Sequence, residues 1–287
     1  MTTFELVTQN GSTWGLDAIS SKTKGGNSYI YDSSAGEGQF NYVVDTGIRT
    51  THVEFGGRAT WGYNAVNDIN ADNNGHGTHV SGTIGGTTYG VSKKTSLIAV
   101  KVFEGNNGSS STVIAGFDWA ANDIVAKGRE NSAVINMSLG GQGSTAWDAA
   151  ITAAYDSGVL AVVAAGNNEV LASTVSPARS PEVITVGNVE ESDARHVPSS
   201  YGTAVDIFAP GTGVISSYRT SDSATASLTG TSMASPHVAG LVSYLRALEG
   251  PLTAADVKAR IYELAIPGRV TGARDATNLI AYNGNGR

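Results

Sequence analysis

The 287-residue chain contains no cysteine, which removes disulfides, thiolate metal sites and a cysteine nucleophile together. Charge is scarce as well, 15% of residues, and leans acidic to a formal net charge of −7. There is no basic stripe to neutralise phosphates, so nucleic acid and anionic membranes are poor partners. Long hydrophobic runs are missing: the longest, residues 159–165, falls far short of the roughly 20 residues of a membrane-spanning helix. The opening residues, Met1, Thr2, Thr3, Phe4 and Glu5, lack the basic start and apolar stretch of a secretory signal. Internal repeats and low-complexity tracts are absent too.

Glycine is plentiful, 36 residues in a chain that is 40% hydrophobic, as suits a compact, turn-rich globule. The length can bury one large core and no linker interrupts it, so residues 1–287 are expected to form a single domain. Apolar stretches of strand length recur at 40–44, 97–103, 133–137, 159–164, 183–186 and 205–208. Most are continuous rather than alternating, as in strands covered on both faces. Helical patterns lie between them at 112–127, with Val113, Phe117, Ala120 and Ile124 on one stripe, and at 145–156, which stops before Gly158. Two more helices are predicted at 232–248 and 254–264, the second with Thr253 as N-cap. The alternation predicts an α/β fold in three layers, a mostly parallel central sheet flanked by helices. Sites in such folds gather at the carboxyl ends of the strands.

Three segments carry chemistry. Asp45 follows the apolar Tyr42-Val43-Val44 and precedes Thr46-Gly47, where a carboxylate can orient a histidine; alone it reads more readily as an aspartate opening a turn. His76 lies in Gly75-His76-Gly77-Thr78-His79-Val80, flanked by glycines that leave the imidazole accessible, as a general base requires. His76 and His79 together lack the further ligands of a zinc site, and no HExxH is present; His79 reads as a packed structural histidine. Ser232, in Gly230-Thr231-Ser232-Met233-Ala234-Ser235-Pro236-His237, stands before the apolar start of a long helix. There backbone N–H groups favour developing negative charge, although a lone serine in that place is also an ordinary N-cap. Pro236 fits a first helical turn, and Ser235 and His237 read as structural neighbours.

Taken together, the order Asp, His, Ser differs from the chymotrypsin and α/β-hydrolase orders, and no GxSxG elbow surrounds Ser232. The three segments resemble the signatures of subtilisin-like (S8) peptidases, and Trp14-Gly15-Leu16, Tyr29-Ile30-Tyr31-Asp32, Ser34 to Gly38, Tyr89-Gly90-Val91, Ile135 to Gly141 and Leu279 to Asn283 extend the resemblance over nearly the whole chain. It is strongest to the proteinase K branch and, within it, to fungal extracellular alkaline proteases of the oryzin and cuticle-degrading kind.

The resemblance implies a serine endopeptidase with Asp45, His76 and Ser232 as triad and Asn167 as oxyanion donor. It implies a first specificity pocket between Ser138, Leu139, Gly140 and Gly141 on one side and Ala164, Ala165 and Gly166 on the other. Asn107, Gly108 and Ser109 match the edge that pairs with an extended substrate. Small uncharged walls suit apolar or aromatic side chains. Structural calcium is implied at Asp206 and the carbonyls of Pro181 and Val183. Further implied are secretion, an N-terminal prodomain during maturation, a monomer, and protein and peptide substrates. The chain would be a mature form without signal peptide or prodomain, with Met1 an added start. Residues 196–200 depart from the family pattern, so that loop is expected to be displaced. Of the sequons at Asn10, Asn107 and Asn136, the last falls in a predicted buried strand. The rival from another class is a non-catalytic binding protein on the same fold.

Overall fold

A computed structural model describes residues 5–286; Met1 lies outside them. The N-terminal part is a hairpin of β1 (Leu6–Asn10) and β2 (Ser28–Asp32) around α1 (Trp14–Ser20). The central sheet is built from β3 (Phe40–Asp45), β4 (Ala59–Asn64), β5 (Ser96–Lys101), β6 (Ala133–Met137), β8 (Leu160–Ala164), β10 (Ile184–Val189), β11 (Ile207–Pro210), β14 (Ile266–Pro267) and β15 (Leu279–Ile280). A short ladder of β7 (Gly141–Gln142) and β9 (Val175–Ser176) and a hairpin of β12 (Val214–Ser217) and β13 (Thr225–Leu228) lie outside it. The nine strands run in the order β14-β15-β11-β10-β8-β6-β3-β5-β4, parallel throughout except for β14 against β15.

Side chains alternate between two cores with the strand period of two. Val43, Leu97, Ala99, Val134, Leu160 and Val162 face one core, whereas Tyr42, Val44, Ile98, Val100, Ile135 and Val163 face the other. Helices α2 (His76–Gly85) and α5 (Thr231–Glu249) cover the first face; α3 (Ser110–Ala126) and α4 (Thr145–Asp156) cover the second. Two layers of helix explain why the strands read as unbroken apolar runs, since neither face meets water. Helix α6 (Ala254–Leu264) follows α5 and packs against it.

The predicted helices at 145–156 and 254–264 match α4 and α6, and Thr253 accepts the Asp256 N–H as N-cap at 3.2 Å. Helix α3 starts two residues before the predicted 112 because Ser109 caps it, accepting the Thr112 N–H at 3.0 Å. The strands predicted at 183–186 and 205–208 run instead over Ile184–Val189 and Ile207–Pro210. Pro236 sits one turn inside α5 rather than in its first turn. Its missing N–H would have bonded the Ser232 carbonyl, which instead accepts the Ser138 hydroxyl at 2.8 Å.

The β12–β13 hairpin lies on α2, and its exposed tip is pinned. Asp222 receives Arg49 and Thr51 side chains at 2.6 Å each, and its carbonyl receives the Val53 N–H at 2.7 Å.

Candidate active site

Asp45 closes β3 and is buried, while His76 opens α2. The imidazole Nδ1 lies 2.8 and 2.9 Å from the two Asp45 carboxylate oxygens. A carboxylate only accepts, so Nδ1 carries the proton and Nε2 is left as the basic nitrogen of the neutral ring. The Thr46 N–H also donates to Asp45 Oδ1, at 2.8 Å. Burial opposes protonation of His76, but the charge and hydrogen bond of Asp45 outweigh it and raise the imidazole pKa above its ordinary value.

The loop leading to His76 is wound around Asp72. This buried carboxylate accepts N–H groups from Asn74, Gly75 and Thr78 at 2.7 to 3.0 Å and the hydroxyls of Thr46 and Thr78 at 2.8 and 2.5 Å. Thr46 in turn accepts the Gly77 N–H at 2.9 Å, so the strand end holding Asp45 and the helix start holding His76 are one hydrogen-bonded unit. Both flanking glycines are required by space. Gly75 has φ 105° with the Tyr218 ring 2.5 Å from where a Cβ would be, and a Cβ on Gly77 would lie 2.2 Å from the Gly47 carbonyl oxygen. His79 is fully buried, with Nε2 at 3.0 and 3.1 Å from the Val214 and Ala226 carbonyls, the structural role expected for it.

Strand β6 runs beside β3, paired as far as Val43 opposite Asn136, so the ends of the two strands, at Asp45 and Met137, belong to neighbouring strands. His76 hangs from the first and Ser232 from the second. The Ser232 hydroxyl donates to the Ser138 carbonyl at 3.1 Å, and the Ser138 hydroxyl also lies 2.9 Å from that of Ser235. Asn136 extends this network, donating to the Ser138 hydroxyl at 3.0 Å. No hydrogen bond joins Ser232 to His76 among the described residues; catalytic contacts of this kind tighten only with substrate in place.

Asn167 follows the end of β8. Its Oδ1 accepts the Thr231 N–H at 2.8 Å and lies 3.0 Å from the Thr231 hydroxyl, which itself accepts the Gly166 N–H at 3.2 Å. With Oδ1 so held, the amide Nδ2 remains as the donor end of a residue that lines one cavity together with Ser232. That cavity measures about 580 Å³. Leu139, Gly140, Gly141, Ala164 and Gly166 are among the residues that line it, and no lining residue is charged. Val170, Thr174 and Val175, not anticipated from the sequence, also line it. Val175 is placed there by pairing with Gln142 across the short β7–β9 ladder.

Other expected pocket residues lie outside its lining. Ala165 is buried in a core cluster, and Ser138 is absent from the lining, tied instead to Ser232 through its hydroxyl and its carbonyl. Asn107, Gly108 and Ser109 form an exposed loop before α3, alongside the histidine loop: Asn74 donates to Asn106 at 2.6 Å. A Cβ on Gly108 would lie 2.2 Å from Phe103.

The comparisons with known proteins agree with this geometry. The model of the Subtilase family (Peptidase S8) matches residues 36–285. An alkaline proteinase of Hapsidospora chrysogena is 55% identical over 99% of this chain and 70% of its own length. Alkaline protease 1 of Emericella nidulans is 54% identical over 97% of this chain and 69% of its own. The chain belongs to the subtilase family. The crystal structure of a cold adapted subtilisin-like serine proteinase, 39% identical, superposes with a TM-score of 0.89 over 96% of this chain and 99% of the other. This subtilase is accordingly a serine endopeptidase on the three-layer fold.

The unusual 196–200 loop is strapped down by Arg195, whose guanidinium donates to the carbonyls of His196, Val197, Ser199 and Gly272. Its Ser200 N–H reaches the Gly166 carbonyl at 2.8 Å, so the loop buttresses the cavity wall.

Subtilisin-like proteins generally bind structural calcium. Here the residues expected to do so do not present a vacant oxygen cage. The Pro181 and Val183 carbonyls each accept from the Lys258 ammonium of α6 at 2.6 Å, and Asp206 accepts the Thr185 N–H at 2.8 Å. Burial raises the Asp206 pKa. The ligand set therefore does not fit the ion. Among the described residues no cluster of three or more His, Asp or Glu forms another metal site.

Proposed function

We propose that this subtilase is secreted and cleaves proteins with broad specificity, preferring apolar or aromatic residues before the cut bond, through an acyl-enzyme. The observation that carries the reading is the two-point hydrogen bond between Asp45 and His76, together with the tie of the Ser232 hydroxyl to Ser138 just past the end of the strand neighbouring that of Asp45. Ser232 Oγ attacks the scissile carbonyl carbon as its proton passes to His76 Nε2, and Asp45 stabilises the imidazolium. The tetrahedral oxyanion is met by the Asn167 Nδ2–H and by the Ser232 N–H at the start of α5. Collapse breaks the C–N bond, and His76 gives its proton to the leaving amine. Water then repeats the sequence on the ester, releasing the acid and restoring Ser232.

The preference follows from the cavity: small walls leave room for a large side chain, and no lining carboxylate offers a partner to a basic one. The sheet and its helical layers make one catalytic domain, read as a monomer released from its own N-terminal prodomain. Secretion is supported by the likeness to alkaline proteases and by the exposed positions of Asn10 and Asn107; Asn136 is buried.

Hydrolysis of a chromogenic peptide ending in Phe, with and without phenylmethylsulfonyl fluoride, tests the reading while intact mass reports the adduct. Inhibitable cleavage with one adduct on Ser232 is expected. A folded sample giving neither would overturn the reading and leave that of a binding protein on this fold standing.

A further inference from the structure

The polypeptide itself supplies a cation where the ligand set expected for calcium converges. Lys258 projects from α6 between the two carbonyls of the segment leading into β10, donating to Pro181 and Val183 at 2.6 Å each. Those oxygens are the two that a calcium ion would share. Calcium takes six to eight oxygens at about 2.3–2.6 Å, whereas an ammonium needs two or three acceptors near hydrogen-bond distance, which is what stands here. Asp206 balances the charge from beyond contact distance, its Oδ2 already bound to the Thr185 N–H. An ion entering the same lone pairs would have to displace one charge with another of the same sign.

We propose that Lys258 replaces the metal at this place: its ammonium ties α6 to the 181–183 segment, so this part of the fold holds without calcium. A metal brings together groups that are separate in the chain and depends on the free ion concentration. A lysine fixed on a helix makes the same bridge intramolecularly, independent of any chelator.

The test is calorimetry on protein blocked with phenylmethylsulfonyl fluoride, so that self-digestion does not intrude, in excess calcium and in chelator. Wild type and Asp206→Asn are expected to respond equally to calcium. Lys258→Ala is expected to melt about 2–4 °C lower in chelator and to regain part of that in calcium, which the freed carbonyls and Asp206 now bind. A calcium-induced rise in wild type that Asp206→Asn diminishes overturns the proposal, as does a Lys258→Ala protein with unchanged melting temperature. Should that variant not fold, a wild-type crystal grown in excess calcium decides. Nζ between the two carbonyls sustains the proposal; an ion there with the lysine turned away ends it.

Discussion

Asn167 has one end anchored and one end open, so its loss should be felt in the transition state and little in binding. For Asn167→Ala we expect kcat to fall by about 10²–10³, the range known for an oxyanion asparagine in subtilisin, with KM nearly constant. A comparable rise in KM would show that the amide holds ground-state substrate instead. His76 must be neutral to act as base, and Asp45 raises its pKa, so the acidic limb of kcat/KM should lie above pH 6.5. Asp45→Asn should lower kcat by about 10⁴ and move that limb to lower pH. A pH–rate profile whose limb stays in place would rule out this coupling. Asp45, His76, Ser232 and Asn167 could be singled out in the sequence because each sits in a short local motif. Asp72 was not: it is one aspartate in a polar loop, and only folding brings Thr46 and Thr78 to its two oxygens. Thr231 was hidden in the same way, its tie to Asn167 spanning 64 positions in the chain.

The helices show how far local rules reach. Thr253 was readable as a cap because threonine before an apolar periodic run satisfies a free N–H, and Thr253→Ala should lower stability by about 1 kcal/mol. Urea unfolding of the blocked enzyme should give an earlier midpoint at constant slope, and an unmoved midpoint would deny the cap any weight. Ser109 shows the opposite case. Its segment resembles a substrate edge, yet its hydroxyl caps α3, and nothing local separates the two uses. Strand cores were legible from continuous apolar runs, but their ends were not, since β10 continues through Gly187 and Asn188, residues that propensity disfavours. The β7–β9 ladder, two residues on each side, carries no periodic signal at all, and with it the far wall of the cavity was missed.

Across the whole molecule, the buried histidines set an acid limit. Burial lowers the pKa of His79 and of His237 to about 4, against roughly 6.5 in an unfolded chain. Between those values the unfolded state binds more protons, so stability rises with pH and is lost as pH falls from 6.5 toward 4. Calorimetry of the blocked enzyme at pH 5, in buffers of differing ionisation enthalpy, should show an uptake of about two protons attributable to these rings. An uptake unchanged in a His237→Gln variant would remove that residue from the account. The layered α/β architecture was legible from the alternation of apolar runs and helical stripes. The clamp of the β12–β13 hairpin on α2 was not, because it depends on carbonyls of Val214 and Ala226 meeting a histidine far away in sequence.

That hairpin has a meaning peculiar to an enzyme that digests proteins, since every molecule is also potential food for its neighbours. A chain enters such a cleft stretched out, and a turn that cannot unfurl is poor prey. Arg49, Thr51 and Val53 hold the exposed tip at Asp222 folded. The same few contacts thus bear on how long a concentrated preparation survives its own activity.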